Sequence, residues 1–131
     1  MKILVTGHKG FIGSYIANYL TTKDHEVEGF EWIENVVPNV EGYDWVIHCG
    51  AISDTTERDV EKVWRQNYEF TLRLLQVCEH YNTNIYTFFI DFSRYENICI
   101  TFFSLRLTNK NNYLRGRGFF TRNLNINSRN Y

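Results

Sequence analysis

An α/β fold built on a parallel sheet is predicted by three observations. The apolar run Ile3-Leu4-Val5 leads into Thr6-Gly7-His8-Lys9-Gly10-Phe11-Ile12-Gly13, with glycines at every third position. An amphipathic helical segment follows at once. Short apolar runs then keep alternating with helical periodicity as far as residue 84, a pattern that requires right-handed crossovers onto parallel strands.

The first strand is predicted over Lys2 to Thr6 and its helix over Phe11 to Leu20, with Ile12, Ile16, Tyr19 and Leu20 on one face. Between them, the first glycine permits a tight turn. The second keeps a side chain out of a ligand's path, and the third lets helix and strand pack closely. Unpaired N–H groups and the dipole at the helix start favour an anion. In this strand–turn–helix setting the glycines read as a dinucleotide site. A second strand, His25 to Phe30, ends at the acidic Glu31. Trp32 to Tyr43 holds the only proline and reads as a loop.

Asp44 to Cys49 is predicted as a third buried strand, followed by the small residues Gly50 and Ala51. Asp54-Thr55-Thr56-Glu57 has the form of a capping box before a long helix, Thr56 to His80. Val60, Val63, Trp64, Asn67, Tyr68, Thr71, Leu74, Leu75 and Cys78 lie on one stripe of that helix. Asn67, polar on an apolar face, reads by itself as a core amide satisfied by backbone. Ile85 to Phe92 and Ile98 to Leu107 are aromatic, strand-like runs. Beyond Thr108 the chain is polar, with Arg and Asn interleaved, and little order is expected there.

With 131 residues the chain suffices for one domain with a core. No apolar run is long enough to span a membrane. Met1-Lys2-Ile3 leads straight into a strand, so no signal peptide is expected. Cys49, Cys78 and Cys99 have no CxxC spacing and read as free thiols of a reducing cytoplasm. His8, His25, His48 and His80 form no metal-ligand pattern, so no metal is expected. Residues 1–96 hold fifteen acidic and eight basic side chains, a net −7, whereas residues 97–131 hold six basic and no acidic ones. This break divides the chain into an amino-terminal dinucleotide-binding part, 1–84, and a divergent basic part, 85–131. The basic part reads as a solvated tail rather than a nucleic-acid surface, since it has no amphipathic stripe.

The glycine segment Thr6 to Gly13 resembles the T-G-x-x-G-F-I-G opening of the extended short-chain dehydrogenases, the NAD-dependent epimerase/dehydratase family. Asp44-Trp-Val-Ile-His48 with Gly50-Ala51 resembles that family's D-V-I-H-x-A-A strand end. His48 to Asp59, followed by Asn67-Tyr68, Thr71, Leu74-Leu75 and Cys78, is similar to the corresponding stretch of ADP-glyceromanno-heptose 6-epimerases. The resemblance covers Met1 to about Asn84 and implies a Rossmann-type, doubly wound parallel sheet. The sheet would be truncated, with an irregular carboxy-terminal tail.

The same resemblance implies site residues. Gly7, Gly10, Phe11, Ile12 and Gly13 would line the pyrophosphate. Glu31, with Trp32 beside it, would hold the adenosine end. Cys49, Gly50, Ala51, Ser53 and Asn67 would border the nicotinamide half, and Ser53 and Thr55 would face a sugar nucleotide. A carboxylate at Glu31 accepts from both ribose hydroxyls and repels a 2′-phosphate. Because Trp32 to Asp44 holds no Lys or Arg, NAD is the expected cofactor, with NADP as the alternative.

Two departures from the family pattern stand out. Residues 32–43 are too few for the usual extra strand–helix unit. The family's catalytic Tyr-x-x-x-Lys helix is also missing, since Tyr19 to Lys23 is the sole match and lies at the wrong end of the first helix. No catalytic residue is therefore assigned. The expected function is an NAD(P)-binding protein of the nucleotide-sugar epimerase family that is not competent alone. A truncated or frame-shifted relic and an active epimerase are the other two readings. Exposed sheet edges imply homo- or hetero-oligomers.

Overall fold

The computed structural model describes residues 1–54, 56–91, 99–105 and 114–115. Strand β1, Lys2–Thr6, is buried along Ile3 to Thr6, and helix α1, Phe11–Thr21, follows it. Strand β2, Glu26–Phe30, pairs parallel to β1 on one side, and β3, Trp45–His48, pairs parallel on the other. Helix α2, Val60–Val63, continues through a π-helical turn at Trp64–Glu69 into α3, Phe70–Tyr81. Strand β4, Asn84–Asp91, lies parallel to β3. β5, Cys99–Leu105, and β6, Leu114–Arg115, then add antiparallel strands.

The sheet order is β2-β1-β3-β4-β5-β6. The step from β1 to β2 and the step from β3 to β4 run in opposite directions across it. Right-handed crossovers therefore place α1 and α3 on opposite faces, which is the doubly wound, Rossmann-like arrangement. The reversal falls between β1 and β3, and in such sheets ligands bind beyond the carboxyl ends of the strands at that point.

The core on the α3 face joins Leu4, Val46 and Ile85 of the sheet to Phe70, Leu74 and Cys78 of α3. Val40 of the connecting loop is fully buried in the same cluster, with Trp32 and Val37 packed at its edge. Residues 32–43 thus cover part of the sheet as an apolar strap. The Asn84 end of the expected amino-terminal part coincides with the start of β4.

Several element boundaries differ from the sequence expectation. The long helix starts at Val60 rather than Thr56. Asp54 folds an Asx turn onto the Thr56 N–H and hydroxyl, and Asp59 is the residue that caps the helix, through the Lys62 N–H at 3.0 Å. Competition between nearby acceptors decided which aspartate caps. On α1, Ile12 and Tyr19 are exposed instead of packed. The low order expected beyond Thr108 lies, apart from β6, outside the described residues.

Candidate dinucleotide site

The carboxyl ends of β1 and β3 meet at Gly7 and Gly50. Gly7 has φ +70°, a left-handed conformation that favours glycine. A Cβ on it would lie 2.6 Å from Gly50 Cα, so the two loops touch backbone to backbone. A Cβ on Gly13 would lie 2.0 Å from the Gly7 carbonyl oxygen, and the first turn of α1 therefore sits directly on the loop. Gly10 differs from both. Among the described residues a Cβ there meets a single neighbour, Gly7 O at 3.2 Å.

Gly10 is also the residue preceding α1, and among the described residues no side chain caps this helix, whose first turn holds no acidic group. The leading N–H groups of a helix lack intrahelical acceptors and carry the positive end of the dipole. Here they open onto the space beside Gly10. Phe11, 95% exposed, and Ile12 flank that opening without filling it. These residues fit a pyrophosphate: uncapped donors, no opposing carboxylate in the turn, and no side chain at Gly10.

Glu31 stands just past β2, and its Oε1 accepts from the Lys9 N–H at 2.8 Å. His8 Nδ1 approaches the same oxygen at 3.0 Å but without hydrogen-bond alignment. The carboxylate predicted to face the ribose is thus anchored to the glycine loop. Trp32 is half-buried and lines a shallow recess with Glu34, Arg65, Phe70 and Arg73. Arg65 pairs there with Glu34 at 3.4 Å and Glu61 at 3.6 Å. The helix therefore brings cations against a loop that has none of its own.

On the other side of the cleft, Asn67 holds the loop after β3. Its Oδ1 accepts from the Ile52 N–H at 2.7 Å and its Nδ2 donates to the Ile52 carbonyl at 3.0 Å. The amide is satisfied by backbone, as its chemistry alone suggested. In doing so it fixes the segment Cys49-Gly50-Ala51 that borders the cleft. Cys49 is half-buried, and burial pushes its thiol up to about 11, so it is not a nucleophile at neutral pH. Ser53 is exposed, and Thr55 lies outside the described residues.

Beneath this loop runs a buried relay that the sequence reading left without a role. The Thr71 hydroxyl donates to the Asn67 carbonyl at 2.7 Å, so its oxygen accepts from His48 Nε2 at 2.9 Å. His48 Nδ1 must then accept from the Thr6 hydroxyl, 2.5 Å away. The network fixes His48 as the neutral Nε2–H tautomer, and burial lowers its pKa to about 4. The relay ties β1, β3 and the π-helical turn together directly under Gly7 and Gly50. Its sequence signal was a histidine and threonine at otherwise apolar positions, each of which needs a partner when buried.

No group of three potential metal ligands occurs among the described residues, and no helix there is long and apolar enough to cross a membrane. Tyr19 and Lys23 lie at the far end of α1 from the glycine loop, with the Lys23 ammonium over the Tyr19 ring at 5.5 Å.

Comparison with known proteins points to the same end of the sheet. Residues 3–33, which span β1, the glycine loop, α1 and Glu31, match the model of the NAD dependent epimerase/dehydratase family. The fold is similar to that of a short-chain dehydrogenase/reductase superfamily protein from Agrobacterium tumefaciens, solved with bound NAD, at 26% identity and a TM-score of 0.56. The match covers 66% of this chain but only 32% of that protein, so the chain spans about a third of its length. The molecule is thus a Rossmann-like α/β sheet whose amino-terminal segment carries the sequence signature of the NAD-dependent epimerase/dehydratase family.

Proposed function

We propose that the chain is an NAD-binding protein of the epimerase/dehydratase family and holds the dinucleotide at the carboxyl ends of β1 and β3. Gly7, Gly10, Phe11, Ile12 and Gly13 receive the pyrophosphate, Glu31 and Trp32 the adenosine, and Cys49, Gly50, Ala51 and Ser53 the nicotinamide half, with Asn67 holding their loop in place. The observation that carries this reading is the uncapped start of α1, open at Gly10 and pinned by Gly13 against Gly7. Residues 1–84 form the binding part, and 85–131 diverge from the family. A nucleotide sugar at Ser53 and Thr55 completes the reading, nearest in kind to the heptose epimerases.

These 131 residues bind without performing the acid–base step, because no Tyr-x-x-x-Lys pair stands near the nicotinamide end. The free thiols Cys49 and Cys78 suit a reducing cytoplasm. Self-association is supported by an exposed apolar row, Val60, Trp64, Tyr68 and Leu72.

The test is titration of the purified chain with NADH, followed by nicotinamide fluorescence, beside a Gly10→Val variant. Saturable binding that the variant abolishes is the expected result. A folded chain that binds no dinucleotide would reduce the motif to ancestry.

A further inference from the structure

His8 occupies the middle of the glycine loop, and its ring lies against the backbone of β2 at Gly29. A Cβ on Gly29 would sit 2.2 Å from ring atoms Cγ and Cδ2 and 2.5 Å from Nδ1, so any other residue at 29 would expel the ring. A glycine inside a strand marks such close approaches. The contact fixes His8 Nδ1 in a buried position, 3.0 Å from Glu31 Oε1. The Lys9 N–H donates to that same oxygen. Glu31 Oε2 has no hydrogen bond or ion pair among the described residues and is the atom left for ribose hydroxyls.

A backbone N–H donates to one point, an imidazole nitrogen lies 3.0 Å from the same point, and a carboxylate oxygen occupies it. We infer that His8 is a specificity-determining residue of the dinucleotide site, acting with Glu31. While Glu31 is in place the point is filled with negative charge, and a ribose carrying a 2′-phosphate is repelled. Once the carboxylate is removed, His8 and the Lys9 N–H form a ready anion site, and the preference turns to the 2′-phosphorylated dinucleotide. Glu31 therefore does more than bind NAD: it masks an NADP site that His8 supplies. The inference rests on the dinucleotide-binding reading above.

The experiment titrates the full chain with NADH and NADPH in wild type, Glu31→Ala, His8→Ala/Glu31→Ala and Gly29→Ala/Glu31→Ala, with circular dichroism to verify folding. Wild type should favour NADH. Glu31→Ala should weaken NADH and tighten NADPH, each by about tenfold, and both double variants should lose the NADPH gain. If Glu31→Ala does not fold, Glu31→Ser, whose short side chain leaves the point beside the Lys9 N–H open, should show the same turn in preference. A Glu31 variant with no NADPH gain, or a gain that survives loss of His8, overturns the inference and leaves NADH binding intact. A wild-type chain that binds neither dinucleotide overturns the underlying reading, and the inference falls with it.

Discussion

Asn67 and Ile52 are joined by two hydrogen bonds, at 2.7 and 3.0 Å, so that one side-chain amide pairs with one peptide unit as a neighbouring strand would. The Asn67 carbonyl in turn takes the Thr71 hydroxyl, which accepts from His48. The loop that borders the cleft is therefore held from below by a helix residue, and that helix residue is held by the sheet. The π-helical turn at Trp64–Glu69 is where this happens. A side chain bonding back to a carbonyl four residues earlier is a recognised cause of such irregularity.

Replacing Asn67 with Leu should destabilise the chain by about 1–3 kcal/mol, because two half-buried peptide groups of Ile52 lose their partners. Urea denaturation measures this. NADH affinity should fall in parallel. Asn67→Asp should be intermediate, since it keeps the acceptor for the Ile52 N–H and loses only the donor.

The second and third glycines should respond in opposite ways. Gly13→Ala places a Cβ 2.0 Å from the Gly7 carbonyl, so helix and strand must separate, at a cost of about 2–3 kcal/mol. Gly10→Ala meets only one oxygen at 3.2 Å and should change stability by about 1 kcal/mol or less. It should nevertheless weaken NADH binding more than tenfold, because its methyl projects into the space beside the pyrophosphate donors. Thermal denaturation and NADH titration of the two variants separate packing from binding.

His48 makes stability depend on pH with a definite sign. Its pKa is about 4 in the fold against 6.5 for the free side chain. The unfolded chain therefore takes up a proton over a window in which the folded chain does not. The contribution is whole above pH 6.5 and is lost as the pH falls from 6.5 to about 4, amounting to roughly 3 kcal/mol. Denaturant midpoints at stepped pH should show this slope in wild type, and the slope should be flatter over the same window in His48→Gln.

Thr87 sits beside His48 in the sheet register, wholly buried, with a hydroxyl that has no partner among the described residues. An unpartnered buried hydroxyl carries its desolvation cost uncompensated. Thr87→Val keeps the β-branched shape and removes that group, so the variant should gain about 1 kcal/mol in urea denaturation. An unchanged or lowered midpoint would mean that the hydroxyl is satisfied in solution.

Much of this was legible in the sequence because it is local. The strand Ile3-Leu4-Val5 and the spacing of Gly7, Gly10 and Gly13 follow from backbone sterics and burial within a dozen residues. Strand–helix alternation implied right-handed crossovers onto a parallel sheet, whereas the strand order that puts the reversal between β1 and β3 was decided by the tertiary structure. The sequence also marked Glu31 as the acidic end of β2. Tertiary structure decided the rest. Of the one stripe expected inside, Asn67, Thr71, Leu74 and Cys78 do face inward, whereas Val60, Trp64 and Tyr68 are exposed, because the π-helical turn changes the phase of the helix between them. That β5 returns antiparallel on β4 depends on pairing, which side-chain pattern alone does not direct. His8 meets Gly29 and Glu31 only because β1 and β2 lie side by side. No periodicity along the chain encodes that contact, which exists only once the sheet has formed.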